Sequence, residues 1–392
     1  MSGETDFIFK IGIVGPTRVG KTSLIAAILK DGQSLLQGTP LSIKPFGKNT
    51  ERRIDQHHTD LECSILLGEF NSGAVSGTEE SFKYELHLDP GVEGAGIRFG
   101  LLDYPGGWID AKHRPAEREG EWKTCENWMK ESSVLIVPVE SAVMMEGYSP
   151  RHKESVSHIL NTANVAKVVR EWAKNRAARP HEPALLIFCP VKCETYFADN
   201  GGLRDTSRTL FAAFQQHYRD VLSAVKDEAP QAKRLYMPVD TIGCVDIVKA
   251  DWQKNDKDKE LTFSADYRVR RPGRQTVKGA DAVLVSLCRH LVDTKQRGES
   301  TKQREEALTA TKMRSAAENA TRHAEEDKGA LGNFWLWISN EREARKKSAQ
   351  ICNGAASQQR QIVEGLDQIV EGLGQTIARL AQRELGSRVK EL

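Results

Sequence analysis

One stretch constrains this chain more than any other: Gly15-Pro16-Thr17-Arg18-Val19-Gly20-Lys21-Thr22-Ser23. It fits the G-x-x-x-x-G-K-[ST] pattern in full. An apolar run, Phe7 to Val14, precedes it, and an amphipathic stretch from Leu24 to Lys30 follows. The order is strand, glycine loop, helix. Gly15 and Gly20 let the backbone wind tightly, so that N–H groups along the loop, those of Arg18, Val19 and Ser23 included, point at phosphate oxygens. The helix adds its unpaired N-terminal N–H groups and the positive end of its dipole. Lys21 can reach β and γ phosphates, and the Thr22 hydroxyl can sit on Mg²⁺. The stretch predicts a nucleoside triphosphate site.

The rest of the chain supplies the scaffold. With 392 residues there is room for a nucleotide-binding domain and more. All fourteen prolines lie at or before Pro272, and the residues after it are rich in Ala, Glu, Gln, Lys and Arg. That shift marks an α/β domain over 1–293 followed by a helical region. Ser81–Leu88 alternates like a half-buried strand, and Ile97–Leu102 reads as its hairpin partner. Val134–Val139, Ala184–Cys189 and Arg234–Val239 are further strands. Helices are expected over 115–132, 151–178, 204–227 and 280–292, and a polar excursion over 250–275. The fold class is therefore α/β: a mostly parallel, doubly wound sheet with ligand at its carboxyl edge and a helical C-terminal extension. Residues 31–80 form a long insert, with Ile54–Leu67 a short helix or strand.

A net charge of +2 gives no field that argues for nucleic acid. Seven scattered cysteines predict no disulfide framework, and Cys189 and Cys193 lack partners at zinc spacing. There is no apolar run near the roughly 18 residues of a membrane span, and no basic start with an apolar core. The expected location is the cytoplasm.

The order of motifs resembles the Ras-like and translation-factor-like class of phosphate-loop GTPases. After the loop, Thr78 in Ser76-Gly77-Thr78-Glu79-Glu80 looks like the family's switch-one threonine. Asp103-Tyr104-Pro105-Gly106 matches its D-x-x-G switch-two motif. The resemblance implies Mg²⁺ held by Thr22 and Thr78 with Asp103 behind a water, and a γ-phosphate sensed by Lys21, Thr78 and the Gly106 N–H. Val191-Lys192-Cys193-Glu194 stands where the family has [NT]-K-x-D. Lys192 would lie over the base and Glu194 would accept from guanine. Thr241-Ile242-Gly243 stands where the family has its second base loop, the Ile242 N–H facing guanine O6.

Two departures keep alternatives open. Val191 and Glu194 leave an ATPase on the same scaffold as a second reading. Gly107 stands where many members carry a Gln that orients water. His113 and Arg114 are candidates to replace it, with Arg52 and Arg53 as candidate arginines; otherwise turnover is slow without a partner, or nucleotide serves a non-hydrolysing scaffold. The wear of the motifs resembles divergent bacterial GTPases of conflict or defence systems.

Residues 294–330 read as a charged helical linker and 331–392 as a helical tail. Phe334-Trp335-Leu336-Trp337-Ile338 can dock on the domain, join protomers or touch a membrane surface. Gln361–Leu366 recurs as Gln368–Leu373, a short heptad pattern that suits self-association, a protein partner or a tail hairpin.

Overall fold

In the computed structural model, residues 8–37, 42–71, 78–89, 97–200, 205–243, 245–254, 261–270, 277–291, 293–294 and 388–392 are described. The aromatic cluster, the heptad pattern and nearly all of the charged linker lie outside them.

The chain opens with β1 (Ile8–Ile13) and α1 (Lys21–Leu36). The insert forms β2 (Ser42–Pro45), α2 (Lys48–Leu66) and β3 (Glu69–Asn71). Then come β4 (Phe82–Asp89), β5 (Ile97–Asp103), α3 (Glu119–Glu131) and β6 (Val134–Glu140). Next are α4 (Ser141–Met145), α5 (Pro150–Ile159), α6 (Thr162–Ala177) and β7 (Leu185–Val191). They are followed by α7 (Ser207–His217), α8 (Arg219–Glu228) and β8 (Lys233–Tyr236). The last are β9 (Val245–Lys254), β10 (Leu261–Val269), α9 (280–291) and β11 (Lys390–Glu391).

The main sheet has eight strands in the order β11-β8-β7-β6-β1-β5-β4-β2. The five from β8 to β5 are mutually parallel; β4, β2 and β11 run antiparallel to their neighbours. β6 and β7 are apolar and buried almost throughout, as parallel strands covered on both faces must be. β4 alternates buried and half-buried residues, as the sequence predicts for a strand near the sheet edge. On one face Ile11 and Ile13 pack with Leu24, Ile28, Val283 and Leu287 from α1 and α9. On the other, Leu135 and Val137 pack with Trp122, Met129, Trp172 and Phe214 from α3, α6 and α7. The α/β, mostly parallel architecture is as expected. Among the described residues no helix is long and apolar enough to cross a membrane.

Four expectations need correction. The helix expected over 151–178 is two, because Asn161 adopts φ 52 and ends the first turn geometry. The helix over 204–227 breaks at Tyr218, which is fully buried between α7 and α8. The polar excursion over 250–275 is largely a β-hairpin, β9–β10, extended by β3 into a second sheet. Its apolar signal is the alternation Phe263, Ala265, Tyr267, Val269, whose last three members are buried while the intervening residues are polar. The tail does not stay helical to residue 392: β11 adds a strand to the edge of β8.

The insert has a position as well as a structure. Near the start of α2, Thr50 Oγ1 accepts the Glu85 N–H of β4, at 3.3 Å. Near its end, Ile65 packs with Ile242, Val245 and Tyr267. Thus α2 runs from β4 to the loop that follows β8.

Candidate functional site at the carboxyl edge of the sheet

The glycine loop ends β1 and caps α1. Gly20 has φ 100, a conformation glycine takes without a steric penalty. Val19 is wholly buried in the core, so only its backbone can face a ligand. Ser23 is half-buried in the first turn of α1. Lys21 is 6% exposed and folds back on the loop, donating to Gly15 O at 3.3 Å and Pro16 O at 3.1 Å. Its ammonium also lies 5.0 Å from the Tyr104 ring centroid. Burial lowers its pKa, and the charge of Asp103 opposes that shift. A buried cation held by two carbonyls is a strong attractor for an anion.

Three segments converge beside it. Thr22 Oγ1 donates to Asp103 Oδ2 at 2.6 Å. Thr78 Oγ1 donates to the same oxygen at 3.0 Å, and the two hydroxyls are 3.4 Å apart. Asp103 is fully buried, and its Oδ1 has no hydrogen-bond partner among the described residues. An unpartnered buried carboxylate oxygen is costly unless something fills its place. Two hydroxyls and a carboxylate are hard oxygen donors of the kind Mg²⁺ takes. The donor set therefore fits the ion that the resemblance implies.

Gly106 closes the other side. A Cβ there would stand 2.2 Å from Pro16 C and Thr17 N, so only glycine lets the two loops meet. Tyr104, wholly buried, accepts the Gly15 N–H at 3.2 Å on its hydroxyl. This tie between the two loops is absent from the sequence reading; Tyr104 occupies a variable position of D-x-x-G and gives no signal there.

The base end is built differently. Lys192 has φ 53, donates to Arg18 O at 3.0 Å and pairs with Glu140 Oε1 at 2.6 Å. Arg18 itself has φ 60, so two residues in a costly backbone region hold each other. Glu194 is 1% exposed, and its Oε1 accepts the N–H groups of Ile242 at 2.9 Å and Gly243 at 3.2 Å. The sequence reading aims the Ile242 N–H at the base; here it is directed to Glu194, whose added methylene lets it reach across. Its Oε2 has no partner among the described residues. Burial first, then Asp240, push the Glu194 pKa up to about 7. Thr241 is buried beside them.

The candidates to replace the missing Gln separate clearly. His113 is exposed and pairs with Asp110 at 3.5 Å. Arg114 is committed to Trp108 O and Glu119, each at 2.8 Å. Arg52 is exposed, and Arg53 lies 4.2 Å from the Phe82 ring centroid. His57, on α2, is one of the insert's charged and polar residues to which the sequence assigns no role. Its Nε2 is buried without a partner among the described residues, and burial lowers its pKa although Asp103 attracts its charged form. No periodicity in the insert marks it; only the path of α2 brings it here.

Fold and site together define an α/β protein with a glycine loop, a buried lysine and a hydroxyl–carboxylate cluster at one sheet edge. No protein-family model matches the chain, and no curated protein matches it in sequence.

Proposed function

We propose that this chain is a guanine-nucleotide-binding switch protein that hydrolyses GTP to GDP and phosphate with Mg²⁺. The observation that carries the reading is the convergence of Thr22, Thr78 and Asp103, from three separate segments, beside the buried Lys21. Mg²⁺ would be held by the Thr22 and Thr78 hydroxyls with Asp103 behind them, and supplies positive charge to phosphate oxygens. Lys21 exchanges the carbonyls of Gly15 and Pro16 for phosphate oxygens, so its charge is placed before the ligand arrives. Gly106, packed on Pro16 and Thr17, offers its N–H to the terminal phosphate. His57, whose buried Nε2 has no partner among the described residues and whose charge state Asp103 influences, would supply a neutral ring nitrogen for the attacking water. The water oxygen bonds to the γ-phosphorus, the bond to the bridging oxygen breaks, GDP leaves with that electron pair, and the water's proton ends on phosphate. Loss of the γ-phosphate would remove its bonds to Thr78 and Gly106 and leave only the Thr78–Asp103 hydrogen bond and the packing of Gly106 on Pro16 and Thr17.

The cytoplasmic location, the bacterial defence setting, and partner binding or self-association through the C-terminal helices belong to the same reading. Mass in solution with GTP and with GDP tests the last of these. Phosphate release by the full chain, abolished in Lys21→Ala, tests hydrolysis; nucleotide binding with no release would leave a scaffold. One observation favours a second reading, ATP: the Ile242 and Gly243 N–H groups are already taken by Glu194, which removes a donor for guanine O6. Tighter binding of ATP than GTP would select it.

A further inference from the structure

The two loops at the Lys192–Glu194 end are tied to one residue, Arg388, 189 and 148 positions further along the chain. Arg388 donates through Nε to Asp199 Oδ2 at 2.8 Å and through Nη2 to Asp240 Oδ2 at 2.9 Å. Its Nη1 lies 2.9 Å from Asp240 Oδ1. The guanidinium also stacks over Phe197, 4.1 Å from the ring centroid. Asp199 and Phe197 belong to the loop that begins at Lys192; Asp240 begins the loop Thr241-Ile242-Gly243. One planar cation therefore bridges both.

Asp240 has no exposed surface. Besides Arg388 it receives the Asn200 amide at 2.8 Å and the Cys193 thiol at 3.3 Å. Asn200 Nδ2 also reaches Gly243 O at 2.7 Å. The chain of contacts is continuous: Arg388 to Asp240, Asp240 to Asn200 and Cys193, and from their loop to Glu194, which holds Ile242 and Gly243. Removing Arg388 leaves a buried carboxylate without its cation, relieved by protonation of Asp240 or by movement of the 240–243 loop toward water, and either change disturbs the contacts that set the loop.

The segment around Arg388 is seated rather than loosely apposed. Lys390 pairs with Tyr236 and Glu391 with Leu235. Leu392 N donates to Arg234 O at 3.1 Å, and Arg234 Nε donates to Leu392 O at 3.1 Å. Val389 packs into the core on one face of the sheet and Leu392 into the core on the other. Lys390 covers Phe211. This is strand addition at an open sheet edge, with alternate side chains sent to opposite faces.

We propose that residues 388–392 form a clamp on the base loops. Arg388 is a positioning residue for base recognition, and seating of β11 and binding of nucleoside share a coupling free energy. Coupling of this kind is reciprocal. A base that needs the 193–200 and 240–243 loops in register favours the seated strand, and a partner that draws on residues 295–387 would weaken the grip on the base. The inference rests on the nucleotide reading above, and assigns the regulated part of the site to its base end.

The test uses the full chain with GTP and with inorganic tripolyphosphate, which engages the glycine loop and lacks a base. Calorimetry on Arg388→Ala is expected to show GTP affinity reduced at least about tenfold, tripolyphosphate affinity within about twofold of the starting protein, and partial recovery in Arg388→Lys. Hydrogen exchange on the unaltered chain gives a second measurement that needs no variant: GTP slows the amides of 389–392 and tripolyphosphate does not. Unchanged GTP affinity in a folded Arg388→Ala protein, equal losses for both ligands, or exchange at 389–392 indifferent to GTP would each overturn the clamp. An unaltered chain that binds neither ligand would overturn the nucleotide reading instead.

Discussion

The glycine-loop end and the Lys192–Glu194 end of the candidate site, proposed to hold phosphate and base, are assembled on opposite plans. At the phosphate end, the loop of Gly15–Ser23 folds on itself, and two short segments, Thr78 and Asp103–Gly106, are pressed against it by direct contact. Few atoms are involved, and each contact leaves little room for another residue type. At the other end, Glu194, Asp199, Asp240 and Arg388 form a network drawn from distant parts of the chain, and Lys192 is held separately by Arg18 and Glu140. Val191 and Glu194 stand where the resembled base motif has other residues, and the polar groups here are largely satisfied, save Glu194 Oε2 and Arg388 Nη1, which meets Asp240 as an ion pair alone. Phosphate geometry is fixed by backbone approach, whereas base recognition can be rebuilt from side chains so long as their charges balance.

The sharpest break of that contrast is at Gly106. Gly106→Ala places a methyl at 2.2 Å from loop backbone, so phosphate release should fall by more than about 100-fold, on the scale of losing a main transition-state donor. Equal activity in the variant, measured by released phosphate, would remove Gly106 from the site.

At the base end the largest effect is expected on stability. Asp240→Ala leaves Arg388 buried without one of its carboxylates, a loss of about 3 kcal/mol by denaturant unfolding. Asp199 retains part of the pairing, so a smaller loss would mean that Asp199 alone suffices.

Glu194 adds a pH dependence whose sign is fixed. Its carboxyl is raised from 4.5 to about 7 in the folded chain, so the folded state binds more protons than the unfolded state between those values. Stability contributed by the neutral acid is fully present below pH 4.5 and is lost as pH rises through about 7. The groups facing it are Asp240, Cys193 and Tyr267. Glu194→Gln keeps an acceptor for Ile242 and Gly243, and should flatten that part of the stability profile.

The smallest effects separate two histidines. His57→Ala is expected to slow phosphate release by about tenfold, and His113→Ala by less than about twofold. The reverse order, read in a single-turnover assay, would return the water-orienting role to the loop after Gly106.

The fold was legible where periodicity was strong. The buried runs of β6 and β7, the alternation of β4, and the strand–loop–helix around Lys21 each follow from local pattern. The meeting of Thr22, Thr78, Asp103 and Gly106 was legible for the same reason, since each sits in a short motif beside a strand. What escaped has long-range causes. β9–β10 reads as polar because one face alternates to solvent, and its apolar face is buried only once Ile65 of α2 arrives. His57 is placed by the direction of α2, and Arg388 by strand pairing with β8, neither of which leaves a local trace. The long stretches expected as single helices break at Asn161 and Tyr218, where a φ value and a buried ring, not a proline or glycine, end the turn.

Calorimetric titration of the full chain with Mg²⁺·GTP and with Mg²⁺·ATP, repeated on Thr22→Ala, tests the central claim most directly. The expected result is GTP binding at least about tenfold tighter than ATP, with the Mg²⁺-dependent part lost in Thr22→Ala. ATP binding as tight as GTP, or GTP binding indifferent to Mg²⁺ and to Thr22, would contradict it.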